Sequence, residues 1–311
     1  MTLRTRGVVT VLVLALSATA CGSTADSKTT SAQDQVQVTG PFGEKPTIKI
    51  AAPLKLSESE SWTTVTGKGD SVGSEATVIM QLTLADGRTG ETKVSTLDAG
   101  QQPLEIKLGE QVFPSLAEAL VGKHASSRVV VASTSDDAYG DTGAPQIGIK
   151  GGHSVVMVSD ILSTDPTSVL DGPTGASNPA PATAPRLVVE DGEPTGVDVT
   201  GLRKPKKLQV YVLREGTGPV LDGPHRIAAD YLGQVWGAKT PFNNSYPKEP
   251  VNFTVGMSRV IPAWDKALAG VKEGARVMLV SPPKTAYGAE AQGPIPANAT
   301  LVFVIDVLGV G

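Results

Sequence analysis

The side chains that most often carry chemistry are few and scattered in this 311-residue chain. His124, His153 and His225 stand far apart with no ligand spacing, which argues against a structural metal. A single cysteine, Cys21, excludes an intramolecular disulfide, a thiolate zinc site and a CxxC redox pair. Glu58 and Glu60 lie in a polar, Ser-rich stretch and read as solvated surface rather than an acid/base pair. Asp136-Asp137 would need cation-binding partners that the sequence does not show. Gly151-Gly152 and the other glycines read as turns, because no phosphate-binding loop follows a strand. What remains is an uneven set of aromatics: thirteen in all, nine of them after residue 205.

Composition frames that set. At ~150 residues per domain there is room for two domains, each with its own core. A formal net charge of -4 gives no basic surface for nucleic acid. Residues 1–20 read as a secretory signal. Arg4 and Arg6 precede an uncharged run, Val8 to Ala20, that is too short to cross a ~30 Å hydrocarbon core. Residues 21–41, rich in Ser, Thr, Asp and Gln, read as a flexible tether. Residues 164–185, rich in Pro, Ala, Ser and Gly, read as a linker.

The two blocks left, 42–163 and 186–311, look like copies of one another. Lys45-Pro46-Thr47 matches Glu193-Pro194-Thr195, and Gly67-Lys68-Gly69 matches Gly216-Thr217-Gly218. PSLAEALVG from Pro114 matches PAWDKALAG from Pro262; Ala138-Tyr139-Gly140 matches Ala286-Tyr287-Gly288; VVMVSDIL from Val155 matches LVFVIDVL from Leu301. Five matches in one order predict a tandem duplication of a whole domain. In the second block, Leu208–Arg214, Arg226–Trp236, Val251–Val255, Ala275–Val280 and Leu301–Val307 read as strands. A short helix is expected from Pro262, with Trp264, Ala267, Leu268 and Val271 on one stripe and Gly270 as its stop. The pattern is α+β, an antiparallel sheet packed on that helix.

Two resemblances follow. Ala18-Thr19-Ala20 before Cys21, then Gly22-Ser23, resembles a bacterial lipobox, which implies cleavage before Cys21 and a lipid anchor on its thiol. Over residues 205–311 the succession Gly216-Thr217-Gly218, Tyr231, Phe242, Val260-Ile261-Pro262-Ala263-Trp264, Ala286-Tyr287-Gly288 and Ile295-Pro296-Ala297-Asn298-Ala299-Thr300-Leu301-Val302-Phe303 resembles an FKBP-type peptidyl-prolyl cis/trans isomerase domain. The resemblance implies two tandem FKBP-like domains, each a five-stranded antiparallel sheet wrapped around a short helix, with an apolar pocket floored by a tryptophan.

Such an activity needs no nucleophile, metal or cofactor. Rotation about X–Pro is slow because resonance stiffens the C–N bond, with a barrier of about 18–20 kcal/mol. A dry pocket that fits the twisted amide better than the planar one lowers it. By resemblance, Trp264 is the floor, Tyr231, Phe242 and Phe303 are walls, and Tyr287 donates its hydroxyl to the substrate carbonyl. Val260, Ile261 and Ile295 complete the lining, the Ile261 N–H binding further along the peptide. The family's acidic position is Asn243 here, an aromatic near the next strand is matched to Val251, and the charged position before Val260 is Arg259. These departures bear on selectivity and on affinity for the family's macrolide ligands.

In the first block the same alignment puts Met80 at the position of Tyr231, Leu116 at Trp264, Met157 at Phe303 and Phe113 at Ile261, with Tyr139 retained. That predicts the frame without the pocket. The leading expectation is therefore an isomerase, lipid-anchored through Cys21 at the outer face of a bacterial cytoplasmic membrane. It would act on proline-containing segments of unfolded exported proteins, with catalysis in the C-terminal domain. The alternative is a non-catalytic module or chaperone that grips proline segments with the same pocket. A transporter's solute-binding lipoprotein fits less well, since the chain lacks sustained α/β alternation.

Overall fold

The computed structural model describes residues 30–110 and 113–311, so the expected signal segment and Cys21 lie outside the described residues. Residues 31–39, expected as tether, are instead built into the first domain. Helix α1 (Ala32–Gln35), capped by the Ser31 hydroxyl, runs into strand β1 (Val36–Thr39), which pairs with β2 (Thr47–Ile50). The averaged polar composition of residues 21–41 hid a local alternation, Val36 and Val38 against Gln37 and Thr39, that suits a half-buried strand.

The first sheet continues with β3 (Glu60–Val65), β4 (Thr77–Asp86), β5 (Thr92–Ser95), β6 (Leu104–Lys107), helix α2 (Pro114–Leu120), β7 (Arg128–Ser133) and β8 (Val155–Thr164). The second domain opens with its own hairpin, β9 (Arg186–Glu190) and β10 (Glu193–Asp198). It repeats the succession as β11 (Gln209–Glu215), β12 (His225–Val235), β13 (Asn243–Asn244), β14 (Val251–Val255), helix α3 (Pro262–Leu268), β15 (Ala275–Ser281) and β16 (Leu301–Val310). Strand orders are equivalent. One sheet runs β3-β7-β8-β4 with β5 and β6 sharing the far edge of β4; the other runs β11-β15-β16-β12 with β13 and β14 sharing the far edge of β12. The expected five positions are thus present, the last one split into two segments.

Helices α2 and α3 each begin with proline at the first turn, where a missing N–H costs nothing. Helix α3 ends at Leu268, and Gly270 follows at φ 79°, the left-handed conformation that glycine adopts without strain. Its Trp264, Ala267 and Leu268 pack against Leu301, Phe303, Ile305 and Val307 of β16. The other face of that strand, Val302 and Val304, packs with Val197 of the β9–β10 hairpin and Tyr246. Strand β8 behaves likewise: Val155, Met157 and Ile161 face one core, while Val156 and Val158 face a second under the β1–β2 hairpin. Both faces of each central strand are covered, so these strands read as continuous apolar runs. The covering hairpins were not identified from sequence.

Beyond Thr164, which ends β8, the linker of residues 164–185 carries no regular element but is pinned along the second sheet. Leu170 N–H donates to Leu308 O at 2.8 Å, Thr174 N–H to Gly274 O at 2.7 Å, and Asn178 N–H to Leu213 O at 2.9 Å. The junction between domains is polar and partly buried. Arg226 N–H donates to Ser163 Oγ at 2.7 Å, and that hydroxyl donates to Gly311 O at 2.7 Å. Asp165 accepts from Arg226 Nε at 2.8 Å and from Thr77 N–H at 2.8 Å.

Candidate functional site

A cavity of about 450 Å³ opens between the second sheet and the N-terminal end of helix α3. Strand alternation aims Tyr231 and Phe253 inward from β12 and β14, and β16 delivers Phe303. Trp264, only 4% exposed, forms the floor. Its ring meets those of Tyr231, Phe253 and Phe303 at centroid distances of 5.4, 5.0 and 5.6 Å, all edge-to-face. Phe242 extends the chain of rings by meeting Phe303 edge-on at 5.9 Å. Such pairs are worth roughly 0.5–1.5 kcal/mol each beyond the area they bury, so the walls hold one another rigid. The indole Nε1–H of Trp264 is buried with no hydrogen-bond partner among the described residues, leaving that donor for a bound group to satisfy.

The polar groups sit at the mouth. Tyr287, 38% exposed, stands on the turn after Pro283–Thr285. Asn243 Nδ2 donates to Tyr231 Oη at 2.6 Å. Burial pushes the Tyr231 phenol above its ordinary pKa, a rise that the Asn243 bond opposes and the neighbouring Tyr287 reinforces, so the ring stays neutral. Arg259 lines the rim and forms an ion pair with Glu105, Nε to Oε2 at 3.0 Å. A first-domain side chain therefore reaches the edge of the second domain's cavity.

Of the residues expected from sequence, Tyr231, Phe242, Asn243, Val260, Ile261, Trp264, Tyr287 and Phe303 line this one cavity. Two do not. Val251 lies 40% exposed, and the aromatic position belongs to Phe253, two residues on and facing inward. The error was a register of two along β14, which preserves alternation and so leaves no mark in the hydrophobic pattern. Ile295 is buried in the core beneath the cavity rather than on its wall. Cys21 lies outside the described residues.

Gly233 was also missed. A Cβ there would stand 2.5 Å from Phe242 Cζ and 3.0 Å from Phe303 Cε1, so the two wall rings fit only over a glycine. The first domain shows what happens without it. Gly233 pairs with Phe303, and in the equivalent register Leu84 pairs with Met157.

That register corrects the earlier match of Tyr231 with Met80. Tyr231 N–H donates to Ser245 Oγ at 2.8 Å, and Leu82 N–H donates to Thr96 Oγ1 at 2.8 Å in the same arrangement. Leu82 is therefore the counterpart of Tyr231. By the same pairing, Lys93 stands for Phe242, Val94 for Asn243 and Ile106 for Phe253. Leu84, Leu116 and Met157 lie together in the buried core. Phe113 meets Tyr139 edge-on at 4.9 Å, where the second domain has Ile261 and Tyr287 at its open mouth.

A family model described as FKBP-type peptidyl-prolyl cis-trans isomerase matches the chain twice, over residues 67–157 and 222–308. FK506-binding protein 1A of Neurospora crassa is 40% identical over 106 residues, which span 33% of this chain and 88% of that protein. An FK506-binding protein of Streptomyces anulatus is 32% identical over 117 residues, 37% of this chain and 94% of the relative. The isomerase FkpA of Escherichia coli is 36% identical over 104 residues, 33% of this chain and 37% of that protein. With both halves of the duplication matched, the chain belongs to the FKBP-type peptidyl-prolyl cis-trans isomerases and carries two such domains in tandem.

Proposed function

We propose that the C-terminal domain alone carries the isomerase activity and acts on proline-containing segments of exported proteins at the outer face of a bacterial cytoplasmic membrane. The observation that supports this reading is the aromatic cavity around Trp264, whose first-domain counterpart is filled by Leu84, Leu116 and Met157. The prolyl ring lies on the Trp264 floor between Tyr231, Phe253 and Phe303. Excluding water removes the solvent that favours the polar planar amide, and the rigid walls favour the twisted form. Tyr287 donates its hydroxyl to the substrate carbonyl. The Ile261 N–H holds the peptide beyond it.

The lipobox-like stretch before Cys21 supports a lipid tether, which would keep the enzyme where exported chains emerge. Uncatalysed isomerisation takes about 10–100 s, slow enough to limit their folding. A protease-coupled cis/trans assay on the full chain tests the assignment. Tyr287→Phe should lower kcat/KM by about three- to tenfold with peptide binding retained, the cost of one lost hydrogen bond in the transition state. Binding of prolyl peptides with no turnover in the unaltered chain would establish a gripping module in place of an enzyme.

A further inference from the structure

The outer face of the second sheet holds a larger cavity, about 560 Å³, bounded by the linker, the β9–β10 turn and the segment after Ser245. At its base Arg276 donates from Nε and Nη2 to the two carboxylate oxygens of Asp306, each at 2.6 Å. The first domain has the same pair, Arg128 and Asp160, and there the space is full. Residues 40–46, the seven-residue turn of the β1–β2 hairpin, fold over it. Arg128 donates to Gly40 O at 2.7 Å, Pro41 O at 2.8 Å and Glu44 O at 3.0 Å, while Gly43 N–H donates to Asp160 Oδ2 at 2.7 Å.

In the second domain the hairpin turn is only Asp191-Gly192. Arg276 keeps its bonds to Asp306 and the Tyr246 ring at 5.9 Å, but among the described residues no main-chain carbonyl accepts from its remaining N–H groups. The Tyr246 hydroxyl, on a residue 9% exposed, stands beside Asp306 and Arg276 but makes no hydrogen bond of regular geometry among the described residues.

Charge distinguishes the two places further. Across the first sheet the paired row reads Val65, Arg128, Asp160, Gln81; across the second it reads Arg214, Arg276, Asp306, Asp230. The acid added at Asp230, which accepts from Ser245 Oγ at 2.8 Å, lies on the cavity side, where Glu193, Glu249 and Asp171 line the opening together with Lys248. Two carboxylates opposite one another in a sheet repel unless a cation comes between them.

We propose that this cavity is a second peptide site, taking the main chain of a lysine- or arginine-bearing segment of a client protein. Its carbonyls accept from Arg276 as Gly40, Pro41 and Glu44 accept from Arg128, and its cationic side chain meets Asp230 and Glu193. The site lies on the opposite face of the sheet from Trp264, and binding is read without turnover, so the proposal does not stand or fall with the isomerase assignment.

The probe is the proline-free peptide acetyl-Gly-Ala-Phe-Gly-Lys-Lys-amide, titrated into the full chain by NMR, with the Glu-Glu version of the same peptide as control. The lysine peptide is expected to shift the signals of Asp230 and Tyr246 with a Kd of about 1 mM or tighter, and to bind at least about tenfold better than the control. Asp230→Gln, which installs the first-domain residue, should weaken it about tenfold. Replacing Asp191-Gly192 by residues 40–46 should abolish binding and leave turnover of a short prolyl peptide unchanged. Absence of binding at several-fold higher concentration (about 5 mM), or equal affinity in the wild type and Asp230→Gln, would overturn the proposal.

Discussion

The two domains share strand order, helix start, a cross-strand Arg–Asp pair and the hydroxyl that ties the fourth strand to the fifth, yet one sheet cradles an open aromatic cavity and the other a filled core. The difference comes down to a handful of positions. Leu82, Leu84, Lys93, Ile106, Leu116 and Met157 stand where the second domain has Tyr231, Gly233, Phe242, Phe253, Trp264 and Phe303. Flexible aliphatic chains pack into a solid interior, since they can adjust to one another. Interlocked rings cannot collapse in that way, and they leave a shaped space. An activity that depends on shape and dryness can therefore be gained or lost while the frame stays intact.

The most severe way to break this comparison is to give the second domain the first domain's leucine. Gly233→Leu drives a side chain into Phe242 and Phe303, and kcat/KM should fall on the order of 100-fold while the far-ultraviolet circular dichroism stays native. Phe253→Ile, the Ile106 equivalent, removes two edge-to-face contacts and should cost about tenfold, read in the same assay.

Smaller effects sharpen the comparison. Glu105→Gln frees Arg259 at the cavity mouth from its first-domain partner. Peptides with an acidic residue beside proline should then gain about twofold over neutral ones, an advantage that added salt erases. Asp230→Gln alters stability rather than turnover. Burial raises the Asp230 carboxyl pKa above its unfolded value, and nearby Asp306, Glu193 and Glu249 add to the rise. A group raised in this way favours folding most when protonated, and that contribution is lost as pH climbs through the folded pKa. The substitution should therefore raise Tm at pH 7, and the gain should shrink below about pH 4.

Much of this was legible in the sequence. The duplication and the five strands and helix expected in the second domain follow from period, proline placement and ordered repeats, and eight cavity residues follow from the family resemblance. The failures share a cause. Val251 for Phe253 and Met80 for Leu82 are both slips of two, the shift that strand alternation cannot detect and only cross-strand hydrogen bonds resolve. Gly233 was passed over because its role lies in what a Cβ would strike, and that partner, Phe242, is nine residues away, just before β13. The β1–β2 hairpin hid in polar composition, whereas the β9–β10 hairpin around Asp191-Gly192 lay in the second block and was passed over. The aromatic imbalance is explained for six of the nine late aromatics, which line the cavity; Tyr211, Trp236 and Tyr246 serve the outer face instead.

The central claim is that turnover resides in one domain of the pair. The most direct measurement is the isomerase activity of the full chain carrying Trp264→Leu and Phe303→Met, which copies Leu116 and Met157 into the second domain and leaves the first untouched. Loss of activity to the uncatalysed rate, with the fold intact, is the expected result. Retention of more than about a tenth of wild-type kcat/KM would place catalysis in the first domain as well and contradict the account.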